Sequence, residues 1–495
     1  MSTLPLVLNA FAEEQAALEL PVQSVPAAAL PVPNPTKSFW IDTPGANPLA
    51  KEGSEGALTH DADICIVGSG ITGVSAAYHI SRLLSEQGED GAGAKGLKIT
   101  ILEARDFCSG ATGRNGGHLT PAFFQGVVGY SALYGTDEAV RAIALEQHTA
   151  SEIVKLVKDT GAEAAVDLVE GGHTTLLFTE PEVVASKADY AAAQAAGINV
   201  SDVKFLTKEE VKETYGAEYP GIHTPGHNLW PLKLVTHLYN LTKQTLGPDL
   251  TLHTNTPVTS IAAISASADS SATTASRRWN LTTPRGPIAC SYVLHATNAY
   301  ASHLLPHMHG PSGIIPTRGQ IIALRSAAPL AEITKSSWDG NEGFEYWFPR
   351  PLAGEETEPL VILGGGREST RPKFELYTVD DASVNPVVGE TLRKFLPAAF
   401  PGKYEPGREP EMEWTGIMGY TKTRDPFVGP VIDPAKPDAY KGQYIAAGFT
   451  GHGMPRTYGC AEAVAGMIVA DIAGKEFTVP DWLPRHHLTK NRLNE

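Results

Sequence analysis

Apolar and polar positions change rhythm several times along the chain. Residues 1 to about 57 alternate Ala/Glu-rich and Pro-rich pieces without a sustained period, which reads as an extension resting on the body through Phe39 and Trp40. From Asp61 the pattern becomes regular. The apolar run "DICIVG" predicts a buried strand, "GSGITGVSAAYHI" a glycine turn opening a helix with small residues on one face, and "LKITILEA" a second strand after the polar loop "SEQGEDGAGAKG". That is a βαβ unit with a lengthened connection. Residues from about 126 to 225 read as Ala-rich helices around one strand in "GGHTTLLFTEP". In "WPLKLVTHLYNLTKQTLG", Leu232, Val235, Leu238 and Leu241 recur at amphipathic helical spacing. A series of short strand-like runs follows, with the Ser/Ala/Asp-rich "SASADSSATTAS" expected as an exposed hairpin loop. The last unit is strand "YIAAGF", a glycine turn, and a helix from about Pro455 to Ala473 that Gly474 is placed to close.

Length and charge narrow the function classes. A chain of 495 residues implies more than one domain, or one domain with a large insertion. Its formal charge of -16, with no Lys/Arg cluster, would repel a phosphate backbone, so nucleic acid and anionic membrane are excluded as expected partners. No run of about 18 apolar residues predicts a membrane span. Cys65, Cys108, Cys290 and Cys460 form neither a CxxC pair nor a dense framework, and the first basic residue is Lys37, so a reducing, cytoplasmic setting without a leader is the expectation.

Chemistry enters with the glycines. Gly68, Gly70 and Gly73 follow a predicted strand and open a predicted helix, the setting in which GxGxxG binds a dinucleotide. Gly68 permits the tight turn, Gly70 close approach of backbone to a pyrophosphate, and Gly73 close packing of helix on strand, while the helix N-terminus offers unpaired N–H groups to phosphate. Glu103 at the end of the next strand suits a ribose hydroxyl, although it lies farther along than the usual spacing of about 20 residues because of the polar loop. NAD and FAD both fit this unit. The following stretch, "ARDFCSGATGRNGGHLTP", is an ordinary exposed turn on one reading; on the other it serves a flavin, with Arg114 and Asn115 as donors and Gly113, Gly116 and Gly117 clearing side chains from the ring.

The ordered series "ADICIVGSGITGVSAAYHI", "ILEARDFCSGATGRNGGH", "TPVTSI", "VLHATNAYAS", "PTRGQ", "VILGGGRE", "GIMGYTKTRDPFVGP" and "YIAAGFTGHGM" resembles the FAD-dependent oxidoreductases of the D-amino acid oxidase superfamily, in the gamma-glutamylputrescine oxidase and glycine/sarcosine oxidase branch. The resemblance runs from about Asp61 to Ile472. It implies an α/β fold with an α+β part: a Rossmann-like FAD-binding domain from residues 58–125, 226–312 and 412–485, and an inserted mixed-sheet substrate domain from 126–225 and 313–411. It also implies a cofactor contact surface made by Ile71, Thr72, Ala104, Arg105, Ala111, Thr112, His118, Val258, Ala296, Thr297, Asn298 and Gly419, besides the residues above. Gly448, Thr450, Gly451, Gly453 and Met454 would meet the pyrimidine edge of the flavin, where negative charge collects on reduction. On the substrate side the candidates are His452, Arg318, Arg456 and the strand residues Tyr346, Trp347 and Phe348, of which alternation puts one or two rings over the flavin.

The implied reaction is hydride transfer from an amine C–H to flavin N5, giving an imine and, with oxygen as acceptor, hydrogen peroxide. The substrate is expected to be a secondary amine or N-substituted amino compound. Alternatives are an amine dehydrogenase with another acceptor, or a flavin-binding protein without turnover. Two departures qualify the resemblance. "WTGIMGYT" lacks the cysteine that links FAD in sarcosine oxidases, which makes FAD non-covalent unless Cys108 or His118 supplies another linkage. Pro455 and Arg456 stand where those relatives place a lysine for the substrate carboxylate, which argues against a small amino acid anchored in that way.

Overall fold

Short, wholly apolar strand runs are the pattern of a sheet covered on both faces. In the computed structural model, which describes residues 4–6, 9–20, 26–86, 96–264 and 277–492, five such runs lie parallel in the order Leu250–His253, Ile99–Leu102, Asp61–Val67, Gly286–His295 and Gln443–Ala447. Phe427–Pro430 closes one edge antiparallel, and Trp279–Thr283 and Ser260–Ala263 extend the sheet off Gly286–His295. Val67 is opposite both Leu102 and His295, so three strand ends meet beside Gly68. The helix Ile71–Glu86 packs between Pro231–Leu246 and Met454–Ile472. Its approach depends on Gly73, where a Cβ would stand 2.0 Å from the Gly68 carbonyl oxygen. The loop "SASADSSATTAS" and most of "SEQGEDGAGAKG" lie outside the described residues.

The second sheet has eight strands in the order Met412–Tyr420, Ile315–Arg325, Leu360–Gly365, Glu345–Pro349, Ser337–Gly340, His173–Leu176, Gly221–Thr224 and Lys204–Leu206. Its pairs are antiparallel except Ser337–Gly340 with His173–Leu176. One face is sealed by the helix Pro386–Ala399, whose Val388, Leu392, Phe395 and Leu396 pack with Trp338, Trp347 and Leu363. Two expected boundaries shift. Met412–Tyr420 belongs to this sheet, bonded along its length to Ile315–Arg325, and not to the dinucleotide half. The helix Thr136–Asp159 buries Leu145, Ala150, Ile153 and Val157 in the core of the first sheet, because that face covers Met454–Ile472.

The N-terminal extension is built in more deeply than two aromatic anchors suggest. Trp40 is fully buried, its Nε1 donates to the Asn115 carbonyl at 2.6 Å, and Trp230 Nε1 donates to the Trp40 carbonyl at 2.9 Å. Ser38 Oγ donates to the Gly113 carbonyl at 2.6 Å, so the extension clamps the "GRNGG" loop from outside. Among the described residues no helix is long and apolar enough to cross a membrane.

Candidate active site

A cavity of about 940 Å³ runs from the strand ends at Gly68 to the inner face of the second sheet. At the first end its wall is Gly68, Gly70, Ile71, Thr72, Glu103, Ala104, Arg105, Val258 and Ala296 to Asn298. Gly68 has φ +113°, and a Cβ there would stand 2.6 Å from the Ala296 carbonyl oxygen. Glu103 accepts from Ser69 N (3.0 Å), Ser69 Oγ (2.8 Å) and Arg105 N (3.0 Å), which fixes its carboxylate at the turn. Ile71 N donates to Thr112 Oγ1 at 3.1 Å, tying the second glycine loop to the first. The Thr297 and Tyr300 hydroxyls are buried on this wall with no partner among the described residues, as a polar ligand would require. Donors, glycines and orphaned hydroxyls together fit a dinucleotide.

Several expected cofactor residues act from behind the wall. Gly73 serves helix packing. Gly419 and Gly448 face Asn298, whose Oδ1 accepts from Gly448 N at 3.0 Å, so they set the Asn298 loop without lining the cavity. Arg114 corrects the sequence reading of a pyrophosphate donor: its Nε donates to Ser109 O (2.9 Å) and its Nη1 to Thr36 O (2.7 Å) and Thr415 O (3.0 Å). Burial, only partly offset by Asp381, pushes its pKa down to about 10. Arg105 is likewise held by Asp381, at 2.9 and 3.0 Å. Both arginines line the cavity, unlike the glycines behind it, with their guanidiniums bonded into the loop.

The middle of the cavity passes Ala111, Thr112, Asn115, Gly116, Gly117 and His118 on one side and Thr450 to Arg456 on the other. Thr450 N donates to Gly419 O (2.7 Å) and His452 N to Phe449 O (3.0 Å). Gly451 N and Gly453 N have no backbone partner among the described residues, at the start of the helix Met454–Ile472. His118 is half-buried, and desolvation lowers its pKa to about 4, giving a neutral ring. Its Nδ1 lies 3.1 Å from Gly116 O and its Nε2 3.3 Å from Trp347 O. Cys108 lies off the cavity, and burial raises its thiol pKa far above the ordinary value.

On the substrate side the strand Glu345–Pro349 contributes one ring. Tyr346 passes between Gly116 and Gly364, where a Cβ would stand 2.5 and 2.4 Å from it. Phe348 corrects the expectation: it is fully buried and stacks on Trp40 with centroids 6.3 Å apart, off the cavity. Trp347 points to the opposite core against Trp338. Arg318 is a second correction. Gly319, Gln320 and Ile321 of its strand line the cavity, whereas the Arg318 guanidinium turns away to Glu375 at 2.5 Å and Ser383 Oγ at 3.1 Å.

His452 and Arg456 do face the cavity, and both are held by Glu146, which sequence reasoning missed. Glu146 Oε2 is 2.9 Å from His452 Nε2 and accepts from Ala122 N (2.7 Å), while Oε1 accepts from Arg456 Nε at 2.7 Å. Burial pushes this carboxyl upward, but His452 and Arg456 outweigh it and hold the pKa at about 2. Also missed are His173, whose Nε2 is 3.2 Å from Asp339 Oδ1, and the cluster of Arg367, Tyr420 and Arg424. Arg367 stands in "VILGGGRE" and the other two in "GIMGYTKTRDPFVGP", so the motifs held them without indicating that they face a ligand. Glu146 and Glu14 carried no such signal.

Comparison with known proteins gives the family and the fold. The profile of the family described as "FAD dependent oxidoreductase" matches residues 63–467, leaving the N-terminal extension outside. A curated relative, the probable oxidoreductase OrdL of Haemophilus influenzae, is 22% identical over 419 residues, covering 83% of this chain and 82% of its own. Glycine oxidase from Geobacillus kaustophilus superposes with TM-score 0.60 at 19% identity, covering 87% of this chain and 100% of that one. L-proline dehydrogenase from P. horikoshii gives TM-score 0.62 at 18% identity, covering 87% and 98%.

Proposed function

Because the chain belongs to the FAD-dependent oxidoreductase family, we propose that it oxidises an amine, secondary or N-substituted, at the carbon beside nitrogen. FAD supplies a two-electron acceptor for that hydride. The observation that supports the reading is a single cavity lined by Tyr346, the glycine turn Gly451–Met454 at a helix start and the Asp339 carboxylate.

Each group has a task set by its chemistry. Thr297, Tyr300 and the first turn of Ile71–Glu86 would hold the polar parts of FAD, and Val258 its adenine end. With FAD bound, the helix N-terminus at Met454 would offer partial positive charge to the ring edge that gathers negative charge on reduction. Tyr346, wedged between two glycines, excludes water and limits the positions a substrate carbon can take. Asp339 is half-buried; desolvation raises its carboxyl pKa, but His173 more than compensates and keeps it ionised. It offers a counter-charge to an ammonium, and the His173–Asp339 pair can take up the proton that the amine sheds. Glu146 holds His452 in place over the same space.

Non-covalent attachment is supported by the protonated thiol of Cys108, which lies off the cavity. Four buried free thiols suit a reducing, cytoplasmic setting. Oxygen is the proposed acceptor. The test is peroxide release from flavin-loaded protein across a panel of N-alkyl amines and N-alkyl amino acids. Peroxide from at least one member is expected. Flavin that is reduced but reoxidises only with an artificial acceptor makes the protein a dehydrogenase, and flavin that no member reduces refutes amine oxidation.

A further inference from the structure

The N-terminal helix Ala10–Glu19 buries three residues, Ala10, Glu14 and Leu18, spaced by four and therefore on one face. Ala10 packs with Phe344 and Phe374, and Leu18 with Ile315 and Tyr420. Between these apolar contacts the Glu14 carboxylate enters the cavity, 1% exposed. A carboxylate so placed is costly unless paired. Arg367 Nη1 donates to its Oε1 and Arg424 Nη2 to its Oε2 at 2.9 Å. The pair reaches the reacting region directly: Arg367 Nη2 donates to Tyr420 Oη at 2.6 Å, and that oxygen lies 3.0 Å from where a Cβ on Gly451 would stand.

Two guanidiniums at the substrate end of an amine-oxidising cavity are what an amino-acid carboxylate would need, and here the chain has filled them itself. We propose that Glu14 takes the place of a substrate carboxylate on the Arg367–Arg424 pair, so that the amine accepted by this site carries no carboxylate of its own. The inference rests on the amine-oxidation reading for the reaction and on the extension alone for the selectivity. The rest of the cavity agrees. Among the described residues every arginine lining it has a carboxylate of the chain as partner: Arg105 and Arg114 have Asp381, Arg367 and Arg424 have Glu14, and Arg456 has Glu146. Asp339, Glu182 and Asp189 line the same space with no arginine against them. Among the described residues seven Asp and Glu line the cavity against five Arg and no Lys, so the interior presents net negative charge to a substrate, which suits a cationic amine and disfavours an amino acid.

The test uses the flavin-loaded full chain and its Glu14→Ala variant, titrated with sodium acetate and with acetamide, reading the visible flavin band and the melting temperature. Acetate is expected to bind the variant about tenfold or more tighter than the wild type, raising its melting temperature and perturbing the flavin, while acetamide does neither. N-methylbutylamine against N-methylnorvaline gives the selectivity: the wild type favours the amine, and the variant moves toward the amino acid by a similar factor. If Glu14→Ala does not fold, Glu14→Ser opens the same space while keeping a polar side chain, and its acetate affinity must rise too. Equal acetate binding in wild type and variants, or none in any of them, overturns the assignment. An acetate response confined to the variants, with flavin that no amine reduces, upholds Glu14 and refutes the amine reading instead.

Discussion

Replacing Glu146 with glutamine tests the site and the electrostatics together. The carboxylate is 2% exposed, bonded to Arg456 and Ala122 N and set against His452, and its pKa lies at about 2 against an ordinary 4.5. A carboxyl held low in the folded state contributes stability that is complete above its unfolded pKa and disappears as pH falls through the folded one. The contribution at neutral pH is about 3 kcal/mol, lost between about pH 4.5 and 2. The glutamine side chain can still accept a hydrogen bond, but it leaves Arg456 buried without a counter-charge, a defect of the same size. For a chain of this length the melting temperature should fall by about 3 °C at pH 7. Urea midpoints for wild type and Glu146→Gln, measured from pH 7 downward, should differ most at neutral pH, begin to approach each other below about pH 4.5 and converge only as the pH nears 2. Equal midpoints at pH 7 would refute the placement of Glu146 as the buried partner of Arg456. Amine-dependent flavin reduction should slow as well, because His452 loses the carboxylate that orients it.

Three further outcomes follow from the geometry. Alanine at an ordinary helical glycine stabilises by about 1 kcal/mol, but Gly73→Ala should cost about 1–3 kcal/mol and release FAD, since its Cβ meets the Gly68 carbonyl at 2.0 Å; thermal melting and cofactor retention on a desalting column measure both. Arg318→Gln should destabilise by about 3 kcal/mol through loss of the pair with Glu375 yet leave kcat and KM for an amine unchanged, and altered kinetics would return Arg318 to the site. Gly364→Ala should displace the Tyr346 ring, raising KM more than it changes FAD affinity, as steady-state kinetics and flavin titration would show.

The first sheet and its turn were legible in the sequence because period, glycine spacing and strand ends are local properties. Gly68, Gly70 and Glu103 stand where the motif put them, and the helix after "GFTGHGM" begins at Met454, within a residue of expectation. What the sequence concealed depends on partners far along the chain. Arg114 reads as a phosphate donor until Thr36, Thr415 and Asp381 fold onto it, and Arg318 reads as a ligand until Glu375 does. Phe348 and Tyr346 share a strand face, yet only Tyr346 reaches the cavity because Trp40, from the extension, covers the other ring. Glu14 sits in an Ala/Glu-rich helix that no period distinguishes from a solvated one. Its function is visible only once Arg367 and Arg424 are beside it.

The central claim, that this chain holds FAD and uses it to oxidise an amine, is tested most directly by the visible spectrum of the purified protein under anaerobic titration with secondary amines. The account predicts a yellow protein whose oxidised flavin band bleaches with at least one of them and whose colour passes to the supernatant on acid precipitation. A protein that takes up no FAD, or a flavin band that no amine bleaches, would contradict it.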